Sequence, residues 1–397
     1  MLRPSVESIE CRPFENTSGL SPSFRATLLC FPALAIASRA EFSYDTIRSH
    51  AHLMTNPSDQ KFLVVRLSSL GDLVHTIPAV AALRAAFPSA QIDWVVDRRW
   101  SPLIELVTCI NQTIALDRSP RDVLALIARL RRKHYTCALD LQGRYRSAVL
   151  GWLSGAPRRI GRAAKSTREP GAALFYTERV VPTGRHIVDM TVDLAARAGA
   201  KPSAEPQFPL RVPPEAMHRV RGRLAGEGIA GAYVVISPGG GWRSKCWPPE
   251  RFGALAAAIE HTYGLRAVVN IAPGEEDMAR QIILGAAPAK PVALSFDIHE
   301  LAALLSEARL VIAGDTGPLH LAAALGTRVV GLFGSTDPAR NGPLPRGVVV
   351  QAASDPTQLP DYVRGDYIRQ DSYSPAMLAL SVERVLAAVE QEIGVRA

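Results

Sequence analysis

The chain has 397 residues, of which 47% are hydrophobic and 21% charged, and a formal net charge of +8. That length predicts two domains rather than one, and the composition excludes an intrinsically disordered chain. No apolar run reaches the roughly 18 residues of a transmembrane helix, and the excess positive charge asks for an acidic partner: nucleic acid, an anionic membrane or a phosphorylated substrate.

The five cysteines (Cys11, Cys30, Cys109, Cys137, Cys246) are scattered and form no C-x-x-C pair. This argues against a disulfide framework or a zinc site and for a reducing compartment. Residues 1–60 are set apart as an N-terminal extension. Ala26 to Ser38 is apolar and follows Arg25, like the core of a signal peptide, but Pro32 interrupts it and polar sequence precedes it. The reading favoured for this extension is a disordered segment, or a start codon placed too early with Met54 as the true start.

From Lys61 the pattern becomes regular. Lys61–Leu67 reads as a buried parallel strand, SSLGD as a loop, Ile77–Phe87 as a helix and Gln91–Val96 as a strand. A helix over Asp122–Arg132, a strand over Tyr135–Leu141 and a helix over Ile187–Ala198 continue the alternation. Lys201–Pro214 carries five prolines and reads as a linker. Strands then follow at Ala232–Ser237, Leu265–Ile271, Leu310–Ala313 and Arg328–Phe333. Helices are expected over Pro249–His261, Glu275–Ile283, Ile298–Glu307 and Pro318–Leu325, and a long amphipathic one over Ser374–Ile393. The sum is α/β: an extension over 1–60, a first half over 61–214 and a second half over 215–397. Two doubly wound sheets leave a cleft at the carboxyl ends of their strands, the expected active site.

Four segments at strand ends carry chemistry. In Ser68-Ser69-Leu70-Gly71-Asp72, Gly71 permits a tight turn, while Asp72 is either a helix cap or a base facing the cleft. In Gly314-Asp315-Thr316-Gly317-Pro318-Leu319-His320, a glycine-flanked helix start suits a diphosphate, with His320 one turn in; a capped helix with a buried histidine is the alternative. Gly239-Gly240-Gly241 followed by Arg243 and Lys245 makes an anion-binding loop without P-loop spacing, and no G-x-G-x-x-G follows the first strand, against a nicotinamide dehydrogenase. Glu275 stands where a carboxylate commonly meets a ribose, or simply opens a helix. Between Leu141 and Arg168 lie seven basic residues and no acidic one, namely Arg144, Arg146, Arg158, Arg159, Arg162, Lys165 and Arg168. They read as a solvated face or as the site of a polyanionic acceptor, and the lack of interleaved aromatics disfavours nucleic acid.

At RLSSLGDLVHTIPA, DLQGRYRSA, TREPGAALFY, SPGGGWRSKCWPPERF and GDTGPLHLAAALGTRVVGLFGSTDP the chain resembles glycosyltransferase family 9, the lipopolysaccharide heptosyltransferases, and within it the heptosyltransferase I group. The resemblance runs from about Lys61 to the C-terminus, and the loop GGGWRS departs from a family pattern richer in threonine and acidic residues. It implies a GT-B fold, two Rossmann-like halves facing across a cleft, and an inverting reaction with no metal and no cofactor. The implied catalytic residues are Asp72, the base, and Lys245, which meets the donor diphosphate. The implied donor set adds Gly239, Gly240, Glu275, Asp315, Thr316, Gly317 and His320. Ser69, Gly71, Arg144, Arg158, Arg162 and Arg168 fall to the acceptor. The expected partners are ADP-heptose and a phosphorylated lipid acceptor, Kdo-lipid A, with peripheral contact to the cytoplasmic face of the anionic inner membrane and no nucleic acid. The rivals are a second heptose transfer or another donor or acceptor on the same fold, and a non-catalytic sugar-nucleotide-binding protein, which would need no Asp72.

Overall fold

The computed structural model describes residues 60–117, 119–352 and 371–394. The extension, but for Gln60, lies outside the described residues, as do Cys11 and Cys30. The first half comprises β1 (Lys61–Val65), α1 (Leu70–Val74), α2 (Ile77–Ala86), β2 (Gln91–Asp97), α3 (Ser101–Glu105) and β3 (Gln112–Leu116). It continues through α4 (Pro120–Lys133), β4 (Cys137–Asp140), α5 (Tyr145–Leu153), β5 (Arg158–Arg162), β6 (Glu178–Val180) and α6 (Ile187–Arg197). The second comprises α7 (Pro214–Gly226), β7 (Tyr233–Ser237), α8 (Pro249–Tyr263), β8 (Arg266–Asn270), α9 (Glu276–Gly285), β9 (Val292–Leu294) and α10 (Ile298–Glu307). It ends with β10 (Leu310–Gly314), α11 (Gly317–Ala324), β11 (Val329–Phe333), α12 (Pro338–Asn341), β12 (Val348–Gln351), α13 (Pro375–Leu378) and α14 (Val382–Gly394).

Each half builds a six-stranded sheet, in the orders β3-β2-β1-β4-β5-β6 and β12-β11-β10-β7-β8-β9. Every pairing is parallel. Central strands covered on both faces must be apolar throughout. That is why KFLVV and LVIAG lead their sheets, with Val64 level with Trp94 and Leu139 on its two neighbours. Strand order reverses between β1 and β4 in one sheet and between β7 and β10 in the other. Ligands bind at such switch points, outside the strands' carboxyl ends. Two Rossmann-like sheets of this order, facing across a cleft, are the GT-B arrangement.

The halves meet on a continuous apolar core in which Leu70 and Leu73 of α1 join Leu319 and Leu321 of α11. Gly71 and Gly317 let these helices touch: a Cβ on Gly71 would lie 2.9 Å from His320 Cδ2, and one on Gly317 would lie 2.3 Å from Leu70 Cδ2. Polar ties reinforce the contact, with Arg185 paired to Asp337 at 2.8 Å and His186 Nε2 3.0 Å from the Gly342 carbonyl.

Several elements depart from the sequence expectation. The SSLGD loop is largely the helix α1, closed by a capping box in which the Asp72 carboxylate accepts from the Ser69 amide. The expected long C-terminal helix breaks between Leu378 and Val382, because Arg251 takes the Leu378 and Leu380 carbonyls and Trp247 Nε1 donates to the latter at 2.9 Å. The outer strands β3, β5, β6, β9 and β12 were not expected. They are short, and β5, reading RRIGR, carries charges at both ends.

Candidate active site

A cleft of about 850 Å³ opens over both switch points. β1 delivers Arg66, Ser69, Gly71 and Asp72 to it, and the segment after β4 delivers Gln142 and Arg144. From the second half, β7 leads to Gly239, Gly240 and Lys245, β8 to Glu275, and β10 to Asp315, Thr316, Gly317 and His320.

Asp72 is both cap and open carboxylate. Its Oδ2 accepts from the Ser69 amide at 3.1 Å and the Ser69 hydroxyl at 3.0 Å, while its Oδ1 pairs with Arg66 Nη2 at 2.7 Å. Although it lies deep between the halves, 43% of its side chain remains open to the cleft. Burial alone would raise its pKa, but the Arg66 guanidinium and the Ser69 donors outweigh that and hold it well below the usual carboxylate range. It is an ionised acceptor of protons with room for a hydroxyl beside it.

Across the cleft, Lys245 Nζ pairs with Asp315 Oδ2 at 2.9 Å. The other oxygen of Asp315 meets His320 Nε2 at 3.0 Å, and Asn341 Nδ2 lies 3.4 Å from Oδ2. Desolvation would raise the Asp315 pKa, yet Lys245 and His320 hold it far down. Asp315 and His320 are thus largely buried in the cleft wall, with Asp315 linking His320 to Lys245. His320 Nδ1 is enclosed without a hydrogen bond, and its ring lies tilted against that of His75, centroids 4.2 Å apart; burial presses the pKa of His75 well down. Thr316 stands at the N-cap position of α11 without a side-chain capping bond, and Thr316, Gly317 and Pro318 line the cleft.

Glu275 stands at the N-cap position of α9 without a side-chain capping bond, and its Oε2 accepts from the Ala272 amide at 2.9 Å; burial raises its pKa. Its other oxygen lies against Gly239, where a Cβ would come within 1.9 Å, so this glycine makes room for the carboxylate.

The basic run divides by position on β5. Arg162, at the carboxyl end, lines the cleft, as do Arg144 and Arg168. Arg158 does not: it opens the strand at the opposite end, about 13 Å away at strand rise, and pairs with Glu178 at 2.8 Å. Its expected place at the acceptor is corrected accordingly. Arg146 is bound to Asp97 at 3.1 Å, and Arg159 donates to the Phe175 carbonyl at 2.8 Å. Arg66 and Arg340 were missed. Both follow strand ends, after β1 and β11, so the topological rule that selected Asp72 would have selected them too.

Among the described residues no helix is long and apolar enough to cross a membrane, and no three His, Cys, Asp or Glu side chains form a group that could hold a metal.

Comparison with known proteins finds that residues 123–369 match glycosyltransferase family 9 (heptosyltransferase). Lipopolysaccharide heptosyltransferase 1 of Pseudomonas aeruginosa is 31% identical over 310 residues, covering 73% of this chain and 82% of that protein. Lipopolysaccharide heptosyltransferase 3 of Escherichia coli is 26% identical over 332 residues, covering 81% of this chain and 96% of its own. Among solved structures, E. coli heptosyltransferase WaaC with ADP-2-deoxy-2-fluoro heptose aligns with a TM-score of 0.65 and 25% identity, over 84% of this chain and 99% of that one.

Proposed function

The chain belongs to glycosyltransferase family 9, the heptosyltransferases, and on that premise we propose that it transfers heptose from ADP-heptose to Kdo-lipid A of the lipopolysaccharide core, with inversion and without a metal. The observation that carries the mechanism is the placement of an ionised Asp72 and of Lys245 on opposite walls of one cleft. In this reading residues 61–214 hold the acceptor and 215–397 the donor.

The acceptor hydroxyl lies against Asp72, which takes its proton as the oxygen bonds to the anomeric carbon. The bond from that carbon to the diphosphate oxygen breaks in the same step, so a single displacement inverts the centre. The departing ADP gathers negative charge, which Lys245 and the N-terminal amides of α11 stabilise. Glu275 receives the ribose hydroxyls. Asp315 and His320 hold Lys245 in place, and Ser69 holds Asp72. A relative's structure with an ADP-heptose analogue supports the choice of donor.

Contact with an anionic membrane is supported by one surface of the first half. Leu174 is 79% exposed and Trp152 44%, with the Phe175 ring 5.9 Å from that of Trp152. Arg159 and Arg179 border them, each donating through Nε to a carbonyl of the same stretch. Apolar side chains rimmed by arginines suit the interface of an anionic bilayer.

The test is to incubate the protein with ADP-heptose and other nucleotide-sugars, without acceptor, with Kdo-lipid A and with heptosylated Kdo-lipid A, and to weigh the products by mass spectrometry. Mass gain of one heptose on Kdo-lipid A supports the reading. Gain only on an acceptor that already bears heptose favours a later transfer, and no gain from any donor refutes both.

A further inference from the structure

Two consecutive residues of the first half, Arg185 and His186, grip both ends of one short helix of the second. Arg185 Nη2 lies 2.8 Å from Asp337 Oδ2 at the N-cap of α12, and His186 Nε2 lies 3.0 Å from the carbonyl oxygen of Gly342 at its C-cap. The two ties are unequal. Arg185 is 72% exposed, and an ion pair with so open a partner adds little. His186 is half-buried and held at both ring nitrogens, since its Nδ1 accepts from the Val188 amide at 3.2 Å and so caps α6. Both bonds form together only when the single ring hydrogen sits on Nε2 and is donated to Gly342. Burial favours this neutral ring and lowers its pKa; His320 and Arg340 act in the same direction, against the Gly342 carbonyl and Asp189.

The gripped helix leads to the donor wall. Its Asn341 Nδ2 lies 3.4 Å from Asp315 Oδ2, the oxygen that pairs with Lys245. The gripping helix leads to the base. Thr191, buried one turn into α6, shares its hydroxyl hydrogen between the Val188 carbonyl at 2.8 Å and the His75 carbonyl at 3.2 Å. His75 is the C-cap of α1, and its ring meets that of His186 edge-on with centroids 5.7 Å apart. One helix thus joins the helix that carries Asp72 to the helix that braces Asp315.

We propose that His186, assisted by Arg185, is a positioning residue of the transfer: through α6 it clamps α12 against α1 and so holds Lys245 in register with Asp72. The proposal rests on the reading of Asp72 as the base and Lys245 as the group that meets the leaving diphosphate.

Two variants of the full chain separate the two bonds. His186→Asn places an oxygen where Nδ1 stands, which keeps the cap, but nothing then reaches Gly342. His186→Gln places an amide N–H where Nε2 stands, which keeps the clamp and loses the cap. His186→Asn should lower kcat by about tenfold or more, as for reacting groups displaced by a fraction of an ångström, and move both KM values less than about twofold. His186→Gln should restore most of kcat. Wild-type kcat in His186→Asn, or an equal fall in the two variants, overturns the proposal. Thr191→Val cuts the path at its other end and leaves His186 whole. It too should lower kcat with the KM values unmoved, and wild-type kcat there overturns the path.

Amide hydrogen exchange reads the clamp without any turnover. The amides of Arg340, Asn341 and Gly342 close α12 on the carbonyls of Asp337 and Pro338. They should exchange faster in His186→Asn and at the wild-type rate in His186→Gln, while the Val188 amide shows the reverse. Unchanged exchange across α12 in His186→Asn overturns the clamp. If the pattern holds while the wild type transfers no sugar, the clamp stands and the heptosyltransfer reading is what fails.

Discussion

Placing a methyl group on Gly317 should damage catalysis from outside the reacting groups. Its Cβ would lie 2.3 Å from Leu70 Cδ2, 2.8 Å from Leu70 Cβ and 2.9 Å from Leu70 Cγ. A rotamer change can move Cδ2 but not Cβ, so relief requires α1 and α11 to separate by several tenths of an ångström. Overpacking of this kind costs about 1–3 kcal/mol, or several degrees in Tm at about 2–4 °C per kcal/mol. Asp72 lies two residues beyond Leu70 on α1, so it moves away from the donor wall. Misplacement approaching 1 Å costs on the order of 100-fold in rate. Gly317→Ala should therefore lower kcat by about tenfold to 100-fold, with a lower Tm and donor affinity changed far less than kcat. Gly222→Ala is the control: a Cβ there meets nothing within 4 Å, in the middle of α7. It should stabilise by about 0.5–1 kcal/mol and leave kcat alone. Calorimetry and steady-state kinetics read both, and a Gly317→Ala protein with wild-type Tm and kcat would refute the close-contact argument.

Arg66→Gln should shift the acid limb of kcat/KM to higher pH. Arg66 depresses the Asp72 pKa, and without it burial pushes that pKa upward, so protonation silences the base sooner as pH falls; Arg66→Lys should restore the limb, and an unmoved limb would contradict the pairing. Lys245→Ala should lower kcat by about 10²–10³ and also lower Tm, because Asp315 loses its main cation. Adding Asp315→Asn should recover Tm but not kcat, and recovery of both would make Lys245 a structural residue. Transfer should persist in excess EDTA, since Lys245 and α11 carry the charge stabilisation; loss reversed by magnesium or manganese would contradict this.

The sequence made the architecture legible where physics leaves little choice. Central strands such as Leu310–Gly314 are covered on both faces and announce themselves by unbroken hydrophobicity. The lining of the candidate cleft was legible for the same reason, because Asp72, Lys245 and Asp315 follow central strands of the two sheets. Arg158 misled because a charge run hides which end of a strand each residue occupies. The state of Asp72 as both cap and open carboxylate and the contact of His320 with Asp315 were not legible, since the cleft they share forms where α1 meets α11, 246 residues along the chain from Gly71 to Gly317. Arg162 differs from its neighbours only in burial, which no run of basic letters discloses.

The central claim is that Asp72 is the base of a sugar transfer and not merely the cap of α1. Asp72→Asn keeps an oxygen that can accept from the Ser69 amide but cannot hold the proton. The decisive measurement is single-turnover transfer of heptose from ADP-heptose to Kdo-lipid A, beside donor affinity by calorimetry, in the wild type and in Asp72→Asn. The account expects transfer to fall by at least about 10²–10⁴ while donor affinity stays within a few-fold. Near-wild-type turnover in Asp72→Asn would contradict it and leave Asp72 a cap.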